Sequence, residues 1–225
     1  MTAGKPRLVA CPLGFDERFV VRAIIQLRLG LGSHDALALF LPVEGDPRGL
    51  DAFNRVKRMV ESYNLDLTLS LSEISVDDFW KGAGQIRKCL EELANKLGSP
   101  KLCVVLGGGM RILSLQVLIG VLALNLGGDV LIYREDLKGS VTFSLDALRG
   151  LKKPSEEHLK ILRVIRRRPG LSFSELADEI SMPKATLHKR LQELKDMGLV
   201  SVRHEGRRVF ISTTPRASLW LSDQQ

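Results

Sequence analysis

Two short glycine-bearing segments and one basic stretch are the places in this chain where residue type and spacing could do chemistry. Leu13-Gly14-Phe15-Asp16 follows a compact apolar run, and Gly107-Gly108-Gly109-Met110-Arg111 follows the run Lys101 to Leu106 (KLCVVL). Three successive glycines let a backbone approach a ligand closely, a helix opening directly after them offers free N–H groups, and Arg111 adds a planar fork suited to phosphate. The same glycines are also what a merely structural turn would contain. The basic stretch is PKATLHKRLQEL, from Pro183 to Leu194. Leu187, Leu191 and Leu194 form its apolar stripe, which leaves Lys184, Thr186, His188, Lys189 and Arg190 as candidate contacts to bases and phosphates. Downstream, Arg203, Arg207 and Arg208 flank a Glu205-Gly206 turn and form a second basic point.

Other chemistries find little support. The segment Ala10 to Asp16 (ACPLGFD) has one glycine where a dinucleotide-binding turn needs G-x-G-x-x-G, and no GxxxxGK[ST] occurs. His34 is the only histidine in the first 150 residues, and the carboxylates there are scattered. We therefore expect no catalytic residues and no metal site. Cys11, Cys89 and Cys103 are odd in number and match neither a zinc nor a disulfide pattern, so they read as buried thiols in a reducing cytoplasm. The N-terminus carries no secretory signal pattern. Ile112 to Gly128 is uncharged for 17 residues, short of the ~20 that a spanning helix needs, and reads as a buried helix.

Elements must position these residues, and two patterns supply them. Up to Gly150, short β-rich runs alternate with helical ones, the signature of βαβ units around a mostly parallel sheet. Strands are expected at Arg7 to Leu13, Asp35 to Val43, Leu65 to Leu71 and Lys101 to Leu106. Helices are expected at Phe15 to Leu29, Gly49 to Tyr63, Asp77 to Leu97 and Met110 to Leu126. A terminal hairpin, Val130 to Arg134 and Ser140 to Leu145, completes six strands and four helices. The period-two alternation of LDLTLSL, from Leu65, places that strand near an edge. Both glycine segments then lie at carboxyl ends of adjacent parallel strands, where open α/β sheets bind ligands.

After Leu151 the pattern becomes helix (Ser155 to Arg168), helix (Ser172 to Ile180), turn, helix (Lys184 to Met197) and a β hairpin (Leu199 to Arg203, Arg208 to Ser212). This is a winged helix-turn-helix, whose second motif helix enters the major groove of double-stranded DNA. Arg166 to Arg168 could contact phosphate or simply complement a helix C-terminus. Charge divides accordingly. The chain has 225 residues and a net charge of +7, with 18 Lys and Arg against 17 Asp and Glu in residues 1–150, and 15 against 9 in residues 151–225. The basic excess belongs to the expected DNA-binding module, residues 151–225, and the near-neutral residues 1–150 form a sensor or enzyme domain joined to it in this reading.

A Rossmann-like domain with LGFDER after the first strand and GGGMR after the fourth, followed by a winged helix, resembles the archaeal CRISPR-associated transcriptional regulators with a CARF (CRISPR-associated Rossmann fold) domain. The resemblance covers the whole chain. It implies a cytoplasmic homodimer that binds cyclic oligoadenylate, typically the cyclic tetramer, across its dyad, with ligand sensing and dimerisation assigned to residues 1–150. Carried over by position, it implicates Leu13, Gly14, Phe15, Asp16, Gly107, Gly108, Gly109, Met110 and Arg111 in ligand binding. The output would be binding to promoters of CRISPR-associated genes or to the CRISPR leader. The apolar helix starting at Ile112 could offer one face to a second copy, or be wholly buried against the sheet. Two other functions remain open: a ring nuclease that cleaves the cyclic ligand, and a DNA-binding dimer indifferent to any nucleotide.

Overall fold

The computed structural model describes residues 5–31, 34–43, 45–136, 138–205 and 208–221. The chain divides into two compact units, residues 1–146 and 147–225.

The first unit runs β1 (Arg7–Pro12), α1 (Arg18–Leu27), β2 (Asp35–Pro42), α2 (Pro47–Ser62), β3 (Leu67–Ile74), α3 (Phe79–Leu97), β4 (Lys101–Leu106), α4 (Arg111–Leu122), β5 (Gly128–Tyr133) and β6 (Ser140–Ser144). The six strands form one sheet in the order β3-β2-β1-β4-β5-β6, all parallel except β6, which is antiparallel to β5. The expected six-stranded, mostly parallel architecture is therefore the observed one. Central strands covered on both faces read as continuous apolar runs, and Leu8 to Leu13 and Ala36 to Leu41 are all buried. β3 occupies an edge, in line with its alternating pattern. At the start of β2, Asp35 is fully buried and takes the Arg7 guanidinium at 2.9 Å, the Arg7 amide at 2.8 Å and the Gly30 amide at 3.0 Å. It ties the N-terminal ends of the two central strands to the α1–β2 turn.

Two helix ends depart from expectation by three residues or more. α1 begins at Arg18, not Phe15, because the Asp16 carboxylate accepts the Arg18 amide at 2.9 Å and holds residues 13–16 out as a loop. α4 ends at Leu122, four residues before Leu126. The chain must turn there into β5, which starts two residues early at Gly128 against Leu102. A Cβ at 128 would fall 2.0 Å from the Leu102 carbonyl oxygen, so only glycine fits that register. No helix among the described residues is long and apolar enough to cross a membrane.

The second unit begins within a short helix α5 (Leu145–Arg149) that the sequence patterns did not announce. It contains α6 (Glu156–Arg167), α7 (Phe173–Ile180), α8 (Lys184–Asp196) and the antiparallel pair β7 (Val200–Glu205) and β8 (Arg208–Thr213). Ser172 and Glu175 form the capping box that their spacing predicts. Ser155 forms another, with His158 in place of an acid. Ile161, Leu162, Leu176, Leu187, Leu194 and Leu199 pack into a separate core. This is the winged helix-turn-helix.

Candidate ligand and nucleic-acid interfaces

At the first site, the parallel pairing of β1 with β4 sets Ala10 opposite Val104 and carries both glycine loops to the same end of the sheet. The loops touch. A Cβ on Gly14 would lie 2.7 Å from the Gly109 nitrogen and 3.0 Å from its Cα, so the two backbones meet at a distance only glycine permits. Gly109 itself has φ +83°, the left-handed region that turns β4 into α4. Gly107 and Gly108 have another reason to lack side chains: a Cβ would fall 2.7 Å and 3.1 Å from the Phe19 ring. These two glycines admit Phe19, which also packs against Tyr133.

A cavity of about 420 Å³ opens beside the loops. It is lined by Leu13, Gly14, Phe15, Gly109 and Met110 from the predicted segments, and also by Pro42, Val43, Glu73 and Val76 from the ends of β2 and β3 and by Asp46 and Leu50 from the start of α2. Phe15 is 53% exposed and Met110 47%. The Arg48 guanidinium stands 4.2 Å from the centre of the Phe15 ring. Arg55 donates to the Phe15 carbonyl at 3.2 Å and pairs with Glu17 at 2.9 Å. Arg111 is exposed in the first turn of α4. Arg48 and Arg55 were missed from sequence. The signal was present in Asp46-Pro47-Arg48-Gly49, an N-cap followed by proline directly after β2, a neighbour of β1 whose C-terminal loop must share the switch point.

Asp16 and Asp46 are committed to arginines, whereas Glu73, which lines the cavity from β3, is exposed. The Arg18 side chain, hydrogen-bonded to Asp16 at 2.7 Å, holds that carboxyl below the usual range. Asp46 accepts from the Arg48 side chain and from its amide and is lowered to about 2. Both are weak proton acceptors. Elsewhere in the sheet, burial pushes the thiols of Cys11 and Cys103 up to about 12 and about 11, which leaves them protonated and unreactive, whereas Cys89 on α3 is half-buried, so the expectation of buried thiols holds for two of the three. No cluster among the described residues could hold a metal ion.

At the second site, α8 buries Leu187, Leu191 and Leu194 and exposes Lys184, Thr186, His188 and Lys189. The His188 ring leans edge-on against Phe173, which fixes its direction. Arg190 differs from its neighbours: it is 30% exposed, with Nε 2.7 Å from Glu157 and a terminal nitrogen 2.9 Å from Glu193. Arg203 is exposed on β7. Arg207 and the side chain of Arg208 lie outside the described residues. Of the three arginines ending α6, Arg166 donates to the Leu221 carbonyl at 3.1 Å and Arg168 pairs with Glu179 at 2.6 Å.

A Rossmann-like sheet with a cavity at its switch point, followed by a winged helix-turn-helix whose second motif helix exposes basic residues, defines a two-module DNA-binding regulator. Residues 7–144 match the Csa3 CRISPR-associated Rossmann-like domain, and residues 157–201 match a winged helix-turn-helix DNA-binding domain. The chain belongs to the Csa3 family of CRISPR-associated DNA-binding regulators, as LGFDER and GGGMR indicated. It is 24% identical over 203 residues to the CRISPR locus-related protein Csa3 of Saccharolobus solfataricus, covering 89% of this chain and 82% of that one. Among solved structures, it is similar to Enterococcus italicus Csm6 bound to cyclic hexa-2′-fluoro-hexa-dAMP, with a TM-score of 0.43, 11% identity, and coverage of 86% of this chain and 55% of that one. Vibrio cholerae VC1899 gives a TM-score of 0.41, 10% identity, and 94% and 63% coverage. Bordetella bronchiseptica BpsR gives 0.29, 22% identity, and 31% and 50% coverage.

Proposed function

We propose that this regulator is a cytoplasmic homodimer that binds cyclic oligoadenylate, in particular the cyclic tetramer, and thereby alters its grip on promoter or leader DNA. Residues 1–150 sense the ligand and dimerise, and residues 151–225 read DNA. The observation that carries the ligand half is the contact of Gly14 with Gly109 beside the cavity, because it joins two loops into one floor. Leu13, Gly14, Phe15, Gly109 and Met110 line the ligand; Asp16, Gly107 and Gly108 stand outside the cavity lining and hold the loops, and Arg111, exposed in the first turn of α4, supplies charge for phosphate. Arg48 and Arg55, each paired with a carboxylate, hold Phe15 in place beside the cavity. A two-fold-symmetric ring suits an isologous dimer in which each copy presents the same loops. Lys184, Thr186, His188 and Lys189 face the groove, and Arg203, Arg207 and Arg208 serve the wing.

Binding without cleavage is the favoured outcome, because Asp16, Glu17 and Asp46 beside the loops are held by arginines and no histidine among the described residues lines the cavity. Coupling between the two ligands must be reciprocal: cyclic tetra-adenylate changes DNA affinity by the factor by which DNA changes its affinity. Measuring both on one preparation tests the proposal, and a DNA affinity unchanged by the nucleotide, or no nucleotide binding, would overturn it. Chromatography of the recovered nucleotide completes the test. Intact ring is expected, and linear products would make the protein a ring nuclease instead.

A further inference from the structure

We propose that His158 and Arg190 are positioning residues that bolt the groove helix to the first turn of α6, and that Arg190 does not contact phosphate. The inference rests on α8 being the DNA-reading helix, as proposed above. His158 is only 4% exposed. Its Nδ1 lies 3.2 Å from the Ser155 amide, which can only donate, so Nδ1 accepts and the ring hydrogen sits on Nε2. Nε2 then donates to Glu193 of α8 at 2.8 Å. The same Glu193 oxygen accepts from Arg190 at 2.9 Å, and Arg190 Nε returns to Glu157 of α6 at 2.7 Å. The result is a closed chain, Ser155–His158–Glu193–Arg190–Glu157, that crosses twice between the helices.

The geometry makes this chain directional. Ser155 is the N-cap of the first long helix after residues 150–154, so the bolt fastens α8 to the point where the chain enters this unit. A leucine core between α6 and α8 resists separation but tolerates small rotations, whereas charge-assisted bonds at fixed angles do not. Rotating α8 by part of a turn would carry Lys184, Thr186 and Lys189 away from the groove together. The sequence pattern could not separate Arg190 from Lys189, because adjacent basic residues look alike until the partners on α6 are placed.

The test uses the full chain and a random-sequence DNA duplex, with affinity measured across a salt series. His158→Leu is expected to weaken binding by about tenfold without changing the salt slope. His158→Gln keeps a donor near Glu193 and restores most of the affinity. Arg190→Gln combined with Glu157→Gln leaves net charge unchanged, and is expected to lower affinity with the slope preserved. A slope that falls by about 0.9 in the double variant would make Arg190 a phosphate contact and overturn the proposal. Wild-type affinity in both His158→Leu and the double variant would also overturn it. Lys189→Ala, run in parallel, should flatten the slope. If it does not, the groove-helix assignment fails, and this is a different result from failure of the bolt.

Discussion

Replacing Gly14 with alanine tests whether the two glycine loops act as one ligand floor. The added Cβ would sit 2.7 Å from the Gly109 nitrogen, whereas ordinary van der Waals contact begins near 3.4 Å. The neighbour is backbone, not a flexible side-chain end, so the loops must part by about 0.7 Å, the difference between those distances. Overpacking of this kind costs about 1–3 kcal/mol. For a unit of this size that lowers the melting temperature by about 2–4 °C per kcal/mol, which leaves the fold intact. The separation falls where backbone amides would meet the ligand, and losing one charge-assisted hydrogen bond weakens binding about tenfold or more. Gly84→Ala is the matched control, because nothing lies within 4 Å of a Cβ there. Mid-helix, it should stabilise by about 1 kcal/mol. Calorimetric titration with cyclic tetra-adenylate, alongside thermal melts, reads both effects. If Gly14→Ala melts lower than wild type yet binds the nucleotide at wild-type affinity, the loops are a structural junction and the ligand site lies elsewhere.

Further outcomes are expected. Arg111→Ala should weaken nucleotide binding by about tenfold while changing stability by less than about 0.5 kcal/mol, checked by titration and urea unfolding. Asp35→Ala leaves Arg7 and the Gly30 amide without their shared carboxylate and should cost about 3 kcal/mol in the urea unfolding of the full chain. Asp46 titrates at about 2 when folded against an ordinary 3.8, so the stabilisation it supplies is complete above 3.8 and is lost as pH falls through about 2. Asp46→Asn should therefore flatten the pH dependence of stability across that window, followed by acid unfolding curves. An unchanged acid profile would refute that assignment.

Much of the architecture was legible because its causes are local. The all-apolar Leu8 to Leu13 could only be a strand covered on both faces, and Ser172 with Glu175 announced its own cap. Helix ends were less legible. The stop of α4 at Leu122 follows from Gly128 lying in register against Leu102, a partner 26 positions away that helical periodicity cannot sense.

By itself, the sequence determined the order of elements, the division of charge and the two loops at the strand ends, since these depend on residue type and short-range spacing. Tertiary structure decided what each residue in those loops is for. Gly14 and Gly109 are glycines because two backbones cross there, and Gly107 and Gly108 because Phe19 fills the space a Cβ would need. It also brought Arg48 and Arg55 from α2 against Phe15, and turned Arg190 toward Glu157 and Glu193 while Lys189 stayed exposed. Contacts between residues 30 to 95 positions apart have no period in the chain. They exist only once the sheet order and the helix packing have placed both partners.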